Sequence, residues 1–240
     1  MAEWLTRTEL ILESEKLEKL KNANVLVVGL GGVGAYAAEM ICRAGVGSMT
    51  IVDGDHIHPT NRNRQLPALK STEGMPKAEV MGKRIIDINP DIKLTVIQEY
   101  IIDEKIAEVL DNDFDYVVDA IDTLSPKIFL IYNSLQKKIP LVSSMGAGGK
   151  FDPARVSISD ISETTGCSLA RILRKRLHRL GIREGFTAVY SPEVIDKNKI
   201  VATNGEQNKA SIVGTISYMP AAFGIACASV VIRDLAGIAR

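Results

Sequence analysis

The stretch Val25-Leu-Val-Val-Gly-Leu-Gly-Gly-Val-Gly34 decides the fold. Val25 to Val28 are β-branched or leucine and read as a buried strand. Gly29, Gly31 and Gly34 follow in GxGxxG spacing, and Ala35-Tyr-Ala-Ala-Glu-Met-Ile41 opens a helix at once. Thr50-Ile-Val-Asp53 reads as the next strand, with an acid at its C-terminal end. Glycines let backbone approach an anionic ligand, and the helix N-terminus offers unpaired N–H groups to phosphates. Asp53 lies nineteen residues after Gly34, near the spacing of a carboxylate that binds ribose hydroxyls. Strand, glycines, helix, strand and acid in that order define a nucleotide site, which the glycines alone would not.

Working outward, strands and helices keep alternating. Leu94–Ile97, Tyr116–Ile121 and Ile139–Ser144 read as strands. Lys77 to about Ile88, Asp103–Leu110 and Ser125–Lys138 read as the helices between them. This predicts an α/β fold with a Rossmann-like, doubly wound, mostly parallel sheet. Leu10, Ile11, Leu17 and Leu20 mark an amphipathic helix, or two short ones, ahead of it. Met145–Lys150 is glycine-rich and reads as flexible, and Arg155–Asp160 alternates as a strand. Glu193–Gln207 is polar, with Asn204-Gly205 turn chemistry. Residues 210–232 carry no charge, but Pro220 and several hydroxyls dilute the run. A strand from Ile212 to Tyr218 and a buried helix from Pro220 explain it better than a membrane span. A single domain over 1–240 is expected, with an N-terminal helical extension (1–22) and a nucleotide-binding core (23–160). A basic helix with a crossover loop (161–209) and a C-terminal strand and helix (210–240) complete it.

Composition narrows the class. Lys plus Arg and Asp plus Glu both number 29, so any basic surface must be local. Cys42, Cys167 and Cys227 form no CxxC pair, which leaves neither a disulfide framework nor a four-thiolate zinc site. The first residues lack a signal-peptide core, so a cytoplasmic location is expected. The local basic surface is Ser168–Gly181, where Arg171, Arg174, Lys175, Arg176 and Arg179 surround an apolar stripe of Leu169, Ile172, Leu173, Leu177 and Leu180. It reads equally as a nucleic-acid surface or as a solvated helix face. His56 and His58 alternate beside Asp55 but lack a third ligand at convincing spacing, and read as surface loop residues.

The chemistry follows from the groups gathered near the glycines. Arg64 and Lys77 supply cations that a dinucleotide oxidoreductase does not need and a triphosphate does. Asp53 and Asp122 follow strand ends, where open α/β sheets bind ligands. Lys77 in the first turn of a helix is at odds with the helix dipole unless an anion lies nearby; a solvated lysine is the alternative. No GxxxxGK[ST] is present, which excludes a P-loop enzyme. The pattern suits attack by a carboxylate on an α-phosphate, with pyrophosphate leaving.

The residues also carry a resemblance. Gly29-x-Gly31-Gly32-x-Gly34, Asp53-x-Asp55, Asn61-Arg-Asn-Arg-Gln65, Lys77 and Asp122 resemble the adenylating enzymes related to ubiquitin activation. These include the activators of sulfur-carrier proteins. Arg7-Thr-Glu-Leu10, Lys77-Ala-Glu-Val-Met81, Val118-Asp-Ala-Ile-Asp-Thr123, Ser143-Ser-Met-Gly-Ala-Gly148 and Gly214-Thr-Ile-Ser-Tyr-Met-Pro220 are most similar to its tRNA threonylcarbamoyladenosine dehydratase branch. That resemblance implies ATP and Mg²⁺ as cofactors and, as substrate, threonylcarbamoyladenosine beside the anticodon of tRNA. The threonyl carboxylate would be adenylated, and the carbamoyl nitrogen would close a ring with loss of water. Asp53 and Asp55 would lie at the nucleotide, Arg64 and Lys77 at the phosphates, Asp122 at the metal, and Asn61 and Gln65 along the site. Arg7 matches an arginine that such homodimers lend to the partner's ATP site. Glu13 stands where the family commonly has glycine, and Pro67 where it has histidine. An activator of a ubiquitin-like or sulfur-carrier protein is the alternative reading. An NAD-dependent dehydrogenase and a non-catalytic nucleotide-binding scaffold share the glycine motif and complete the set.

Overall fold

A computed structural model describes residues 3–196, 198, 200–202 and 211–239. Five strands run parallel: β1 (Asn24–Val28), β2 (Ser48–Val52), β3 (Lys93–Ile97), β4 (Tyr116–Asp119) and β5 (Leu141–Ser144). β6 (Ser157–Asp160) and β7 (Thr187–Tyr190) extend the sheet, with β6 antiparallel to β7. The order β3-β2-β1-β4-β5-β7-β6 reverses direction between β1 and β4. That reversal opens a crevice beyond the carboxyl ends of these two strands.

Both sheet faces are covered, which is why β1 reads as an unbroken apolar run. Val25 and Val27 join one core with α1 (Thr6–Asn22), α2 (Gly34–Arg43), α3 (Lys77–Ile88) and α7 (Tyr218–Ala236). Leu26 and Val28 join the other with α4 (Glu104–Val109), α5 (Leu124–Gln136) and α6 (Ser168–Arg179). A short hairpin of β8 (Ile200–Ala202) and β9 (Ser211–Val213) lies apart from the sheet. The Asn204-Gly205 turn falls outside the described residues. By length and composition α7 is apolar enough to cross a membrane. Here Met219, Phe223, Cys227 and Val231 are buried in the core that α7 shares with α1 and α2.

Five expectations need correction. The strand expected from Ile212 to Tyr218 ends at Val213, and helix α7 starts at Tyr218, ahead of Pro220. Gly214 follows the shortened strand, and the Thr215 carbonyl accepts from the Asn63 side chain at 3.0 Å instead of from a neighbouring strand. The apolar stripe of α6 is Ala170, Leu173 and Leu177, while Ile172 and Leu180 face solvent. Met145–Lys150 is packed, with Lys150 buried and donating to the Ser191 carbonyl at 3.0 Å. The start expected for β6 at Arg155 is a 3-10 turn, Pro153–Arg155.

The fifth correction concerns α1, which is broken at Glu13. Its φ of 69° and ψ of 157° lie in a region that essentially only glycine visits. The break rotates the first turns, so Leu12, Leu17 and Leu20 are buried while Leu10 and Ile11 are 81% and 80% exposed. Glycine would adopt this conformation without strain. Glu13→Gly should therefore raise stability by about 1 kcal/mol, or about 2–4 °C in melting temperature, measured by thermal denaturation.

A charge cluster ties α2 to α3. Buried Glu39 accepts from Arg43 Nε at 2.8 Å and is also held by Arg84 of α3 through Nε and Nη2. Burial pushes the Glu39 carboxyl up, but the two guanidinium groups outweigh it and hold the pKa below the usual glutamate value. The folded pKa is the lower one, so this cluster's stabilisation is present above the ordinary glutamate pKa of about 4.3. It is lost as pH falls through the folded value. Melting temperatures of wild type and Glu39→Gln should differ most near neutrality and converge as the medium is acidified below that range.

Candidate nucleotide site

The crevice is built where β1 leaves the sheet. Gly29 has φ +91°, and a Cβ there would lie 2.8 Å from the Ala120 carbonyl oxygen. A Cβ on Gly34 would fall 1.7 Å from the Gly29 carbonyl oxygen. No side chain fits at either position, so the loop turns tightly and α2 begins against it. Gly31 faces the Gln65 amide, and Gly32 faces Pro220 and the Arg64 stem. The four glycines, Arg64 and Gln65 are thus assembled in one place.

Asp53 sits one residue past β2 and closes this loop. Its Oδ2 accepts from Leu30 N at 2.6 Å and its Oδ1 from Asp55 N at 2.7 Å. Burial raises its pKa above the ordinary carboxylate value, against the Lys77 charge and these two N–H donors. Lys77 begins α3, buried, with Nζ 2.6 Å from Asp55 Oδ2. The Asp55 carboxylate thereby offsets the unfavourable dipole position, and the solvated-lysine reading is excluded. The Tyr100 hydroxyl bonds the other Asp55 oxygen. That bond, then burial, then the charges of Asp55, Asp53 and Asp122 push its pKa up to about 12.

The loop from Pro59 to Gln65 supplies the other wall. Asn61 is buried, its Oδ1 accepts from His58 N at 3.0 Å, and its carbonyl accepts from Gln65 N at 2.9 Å. Asn61 therefore shapes the loop. His58 caps the same turn, with Nδ1 2.8 Å from Thr60 Oγ1, and His56 bridges to Pro76. Arg64 donates Nη1 to the Thr60 carbonyl at 3.0 Å and to Asn63 Oδ1 at 2.9 Å. Burial lowers its pKa while the Asp122 charge opposes the shift. Among the described residues, Gln65 Oε1 is the one buried side-chain oxygen or nitrogen without a hydrogen-bond partner. An unmade bond of that kind costs about 1–3 kcal/mol. Nε2 of the same amide faces Gly31, and its N–H groups suit an anion beside that glycine.

Asp122 is exposed, three residues past β4. The turn that carries it rests on a buried network that the sequence reading passed over. Lys127 Nζ lies 2.8 Å from Asp119 Oδ2 and donates to the Ile121 carbonyl at 3.0 Å. Ser143 Oγ donates to Asp119 Oδ2 at 2.6 Å. The signal was present, because Lys127 shares a helical face with Leu130, Ile131 and Ser134. Tyr100 left no comparable signal.

Two groups of expected residues lie elsewhere. Arg7 is exposed and lines a groove of about 450 Å³ with Ile11, Met40, Arg43, Ile225 and Ile232. Arg43 ends α2, about 15 Å from the glycine loop by helical rise. The structure thus does not bring Arg7 to this chain's own crevice. On α6, Arg171, Lys175, Arg176 and Arg179 flank Ile172 around a shallow groove of about 330 Å³. None of these four is in a salt bridge among the described residues. Arg174 leaves the set, because it is half-buried and donates to the Thr164 carbonyl at 2.6 Å. Cys167, which precedes α6, is buried.

Comparison with known proteins places this geometry. The ThiF family model matches residues 5–240, and the chain belongs to that family. It is 44% identical over 193 residues to the tRNA threonylcarbamoyladenosine dehydratase of Bacillus subtilis, covering 80% of this chain and 76% of that one. It is 34% identical over 231 residues to the enzyme of that name from Haemophilus influenzae, covering 92% and 88%. The crystal structure of the E. coli tRNA N6-threonylcarbamoyladenosine dehydratase in complex with ATP superposes with a TM-score of 0.89. That pair is 33% identical and covers 99% of this chain and 96% of that one.

The glycine loop has a direct test. Gly34→Ala should weaken ATP binding by at least about tenfold, because its methyl group has no room. Gly146→Ala, whose Cβ meets nothing closer than 3.9 Å, should bind ATP as wild type does when both are titrated by calorimetry.

Proposed function

We propose that the chain is an ATP-dependent tRNA-modifying enzyme that dehydrates threonylcarbamoyladenosine to its cyclic form. The observation that carries this reading is the convergence of Gly29–Gly34, Arg64, Lys77 and Asp122 on one crevice. The near full-length likeness to dehydratases supports the substrate. The threonyl carboxylate oxygen attacks the α-phosphorus of ATP, and pyrophosphate leaves. The carbamoyl nitrogen then attacks the acyl carbon, loses its proton, and AMP departs with the former carboxylate oxygen. Arg64 and Lys77 neutralise charge building on the phosphates, Asp53 holds the ribose, and Gln65 and the loop N–H groups orient the chain of phosphates. The activator alternative is less well supported, since the near full-length likeness is to dehydratases.

The donor set fits Mg²⁺. Among the described residues no group of three or more His, Cys, Asp or Glu gathers to cage a metal. One exposed carboxylate, Asp122, beside a polyphosphate is the sparse protein contribution that Mg²⁺ accepts. Bound there, the ion would polarise phosphate oxygens. Three carboxylates, Asp53, Asp55 and Asp122, face two cations, Arg64 and Lys77, so a triphosphate needs further positive charge. Arg7 from a second copy would supply some of it. The exposed Leu10 and Ile11 beside Arg7 support a homodimer through this face. The cations of α6, without salt bridges among the described residues, form the tRNA surface in this reading, and the three free, buried cysteines suit the cytoplasm.

Nucleoside mass spectrometry of threonylcarbamoylated tRNA incubated with the protein and Mg-ATP should record ATP-dependent loss of one water. Lys77→Ala and Arg64→Ala should each lower that rate by at least about a hundredfold. An Arg171→Glu/Arg176→Glu variant should raise the KM for tRNA at least about tenfold with kcat retained. Unchanged kinetics would remove α6 from the tRNA surface and leave the chemistry untouched.

A further inference from the structure

We propose that Lys127 is a positioning residue of the nucleotide site, acting through Asp119 on the turn that ends in Asp122. Strand β4 stays in register with β1 through the Val28–Asp119 pair, and Ala120 N still donates to the Val28 carbonyl at 2.9 Å. Beyond Ala120 the chain leaves the sheet, and side chains take over. Ile121 N donates to Asp119 Oδ1 at 3.1 Å, and the Ile121 carbonyl accepts from Lys127 Nζ at 3.0 Å. Lys127 therefore holds the Ile121 peptide from one side and the Asp119 carboxylate from the other. Ser143, paired with Asp119 across β4 and β5, fixes the carboxylate from the adjacent strand.

The placement matters because this peptide is part of the site. The Ala120 carbonyl is what a Cβ on Gly29 would strike, and the Ala120 side chain is 2.9 Å from where a Cβ on Gly34 would stand. A shift of the Ala120–Ile121 peptide moves the wall behind the glycine loop, and Asp122 follows by direct chain connection. Both members of the ion pair are fully buried, with neither exposed at all. A buried pair is weak as a source of net stability and is replaceable by neutral groups of similar volume. Cys227 of α7 lies close enough to feel both charges, with its thiol pushed up to about 12 by burial, so it takes no part. Lys127 and Asp119 never reach the crevice surface; they act through the backbone.

The inference rests on the proposed ATP-dependent activity, and its test separates the two. Asp119→Asn/Lys127→Met removes both charges together and keeps the interior neutral, and Ser143→Ala removes one hydrogen bond with no change of charge. Melting temperature establishes folding, after which Mg-ATP affinity is measured by calorimetry and kcat by tRNA cyclisation. The folded double variant should bind Mg-ATP about tenfold or more weakly and turn over more slowly. Ser143→Ala should weaken affinity too, by about two- to fivefold. It decides the matter alone if the double variant does not fold, in which case wild-type affinity overturns the proposal. Repeating the double substitution in an Asp122→Asn background should cost much less in kcat, since both changes act on one group. Equal cost in both backgrounds, or wild-type affinity and turnover in the folded double variant, overturns it. If Asp122→Asn alone leaves kcat unchanged, the role of Asp122 falls, and Mg-ATP affinity of the double variant decides for Lys127. Absence of any cyclisation by the wild-type chain overturns the proposed function while the affinity measurement still tests Lys127.

Discussion

The structure depends on how closely two stretches of backbone approach at the centre of the sheet. β1 and β4 are neighbours, and their chains turn away in opposite senses just past Val28 and Ala120. The loop after β1 must clear the Ala120 carbonyl and fold back on itself within six residues to begin α2. Only hydrogen atoms fit at Gly29 and Gly34, so those positions set the height at which α2 starts and where its N–H groups point. The crevice, the position of Asp53 and the seat of α7 through Pro220 and Gly32 all follow from that clearance.

Around this point the protein treats its charges in two ways. Cations inside are matched: Lys77 to Asp55, Lys127 to Asp119, and Lys150 to main-chain carbonyls. Each match fixes a loop that borders the crevice or supports it. Along α6 the cations Arg171, Lys175, Arg176 and Arg179 have no salt-bridge partner among the described residues. A chain with no net charge thus concentrates usable positive potential on one helix. The contrast between Arg174 and its neighbours makes the distinction concrete, since one arginine of the run is consumed in holding Thr164.

The mostly parallel sheet was legible because periodicity reports burial, and burial is two-sided and continuous in β1, β2, β4 and β5. The placement of Asp53 and Asp122 after strands and of Lys77 at a helix start was legible because such boundaries are local events. What the sequence hid were relations between distant segments. That Asp55 satisfies Lys77, that Tyr100 holds Asp55, and that Thr215 gives its carbonyl to Asn63 are contacts across tens of residues. Arg174 and Ile172 were misassigned because a helix with apolar residues on more than one side does not announce which side meets the core. The sequence stretch Ile212–Tyr218 misled for another reason: its β-branched residues fit a strand, but the pairing with β8 stops at Val213 and helix α7 begins at Tyr218.

The break at Glu13 has a mechanical consequence for the first helix. Residues 6–12 form a segment joined to the remainder through a strained junction and anchored by Leu5 and Leu12. Such a segment detaches at lower free energy than the sheet unfolds, so its amide protons should exchange with solvent as a separate cooperative unit. The turn bearing Arg7 is thus joined to the rest of the molecule through one strained residue and held by the side chains of Leu5 and Leu12.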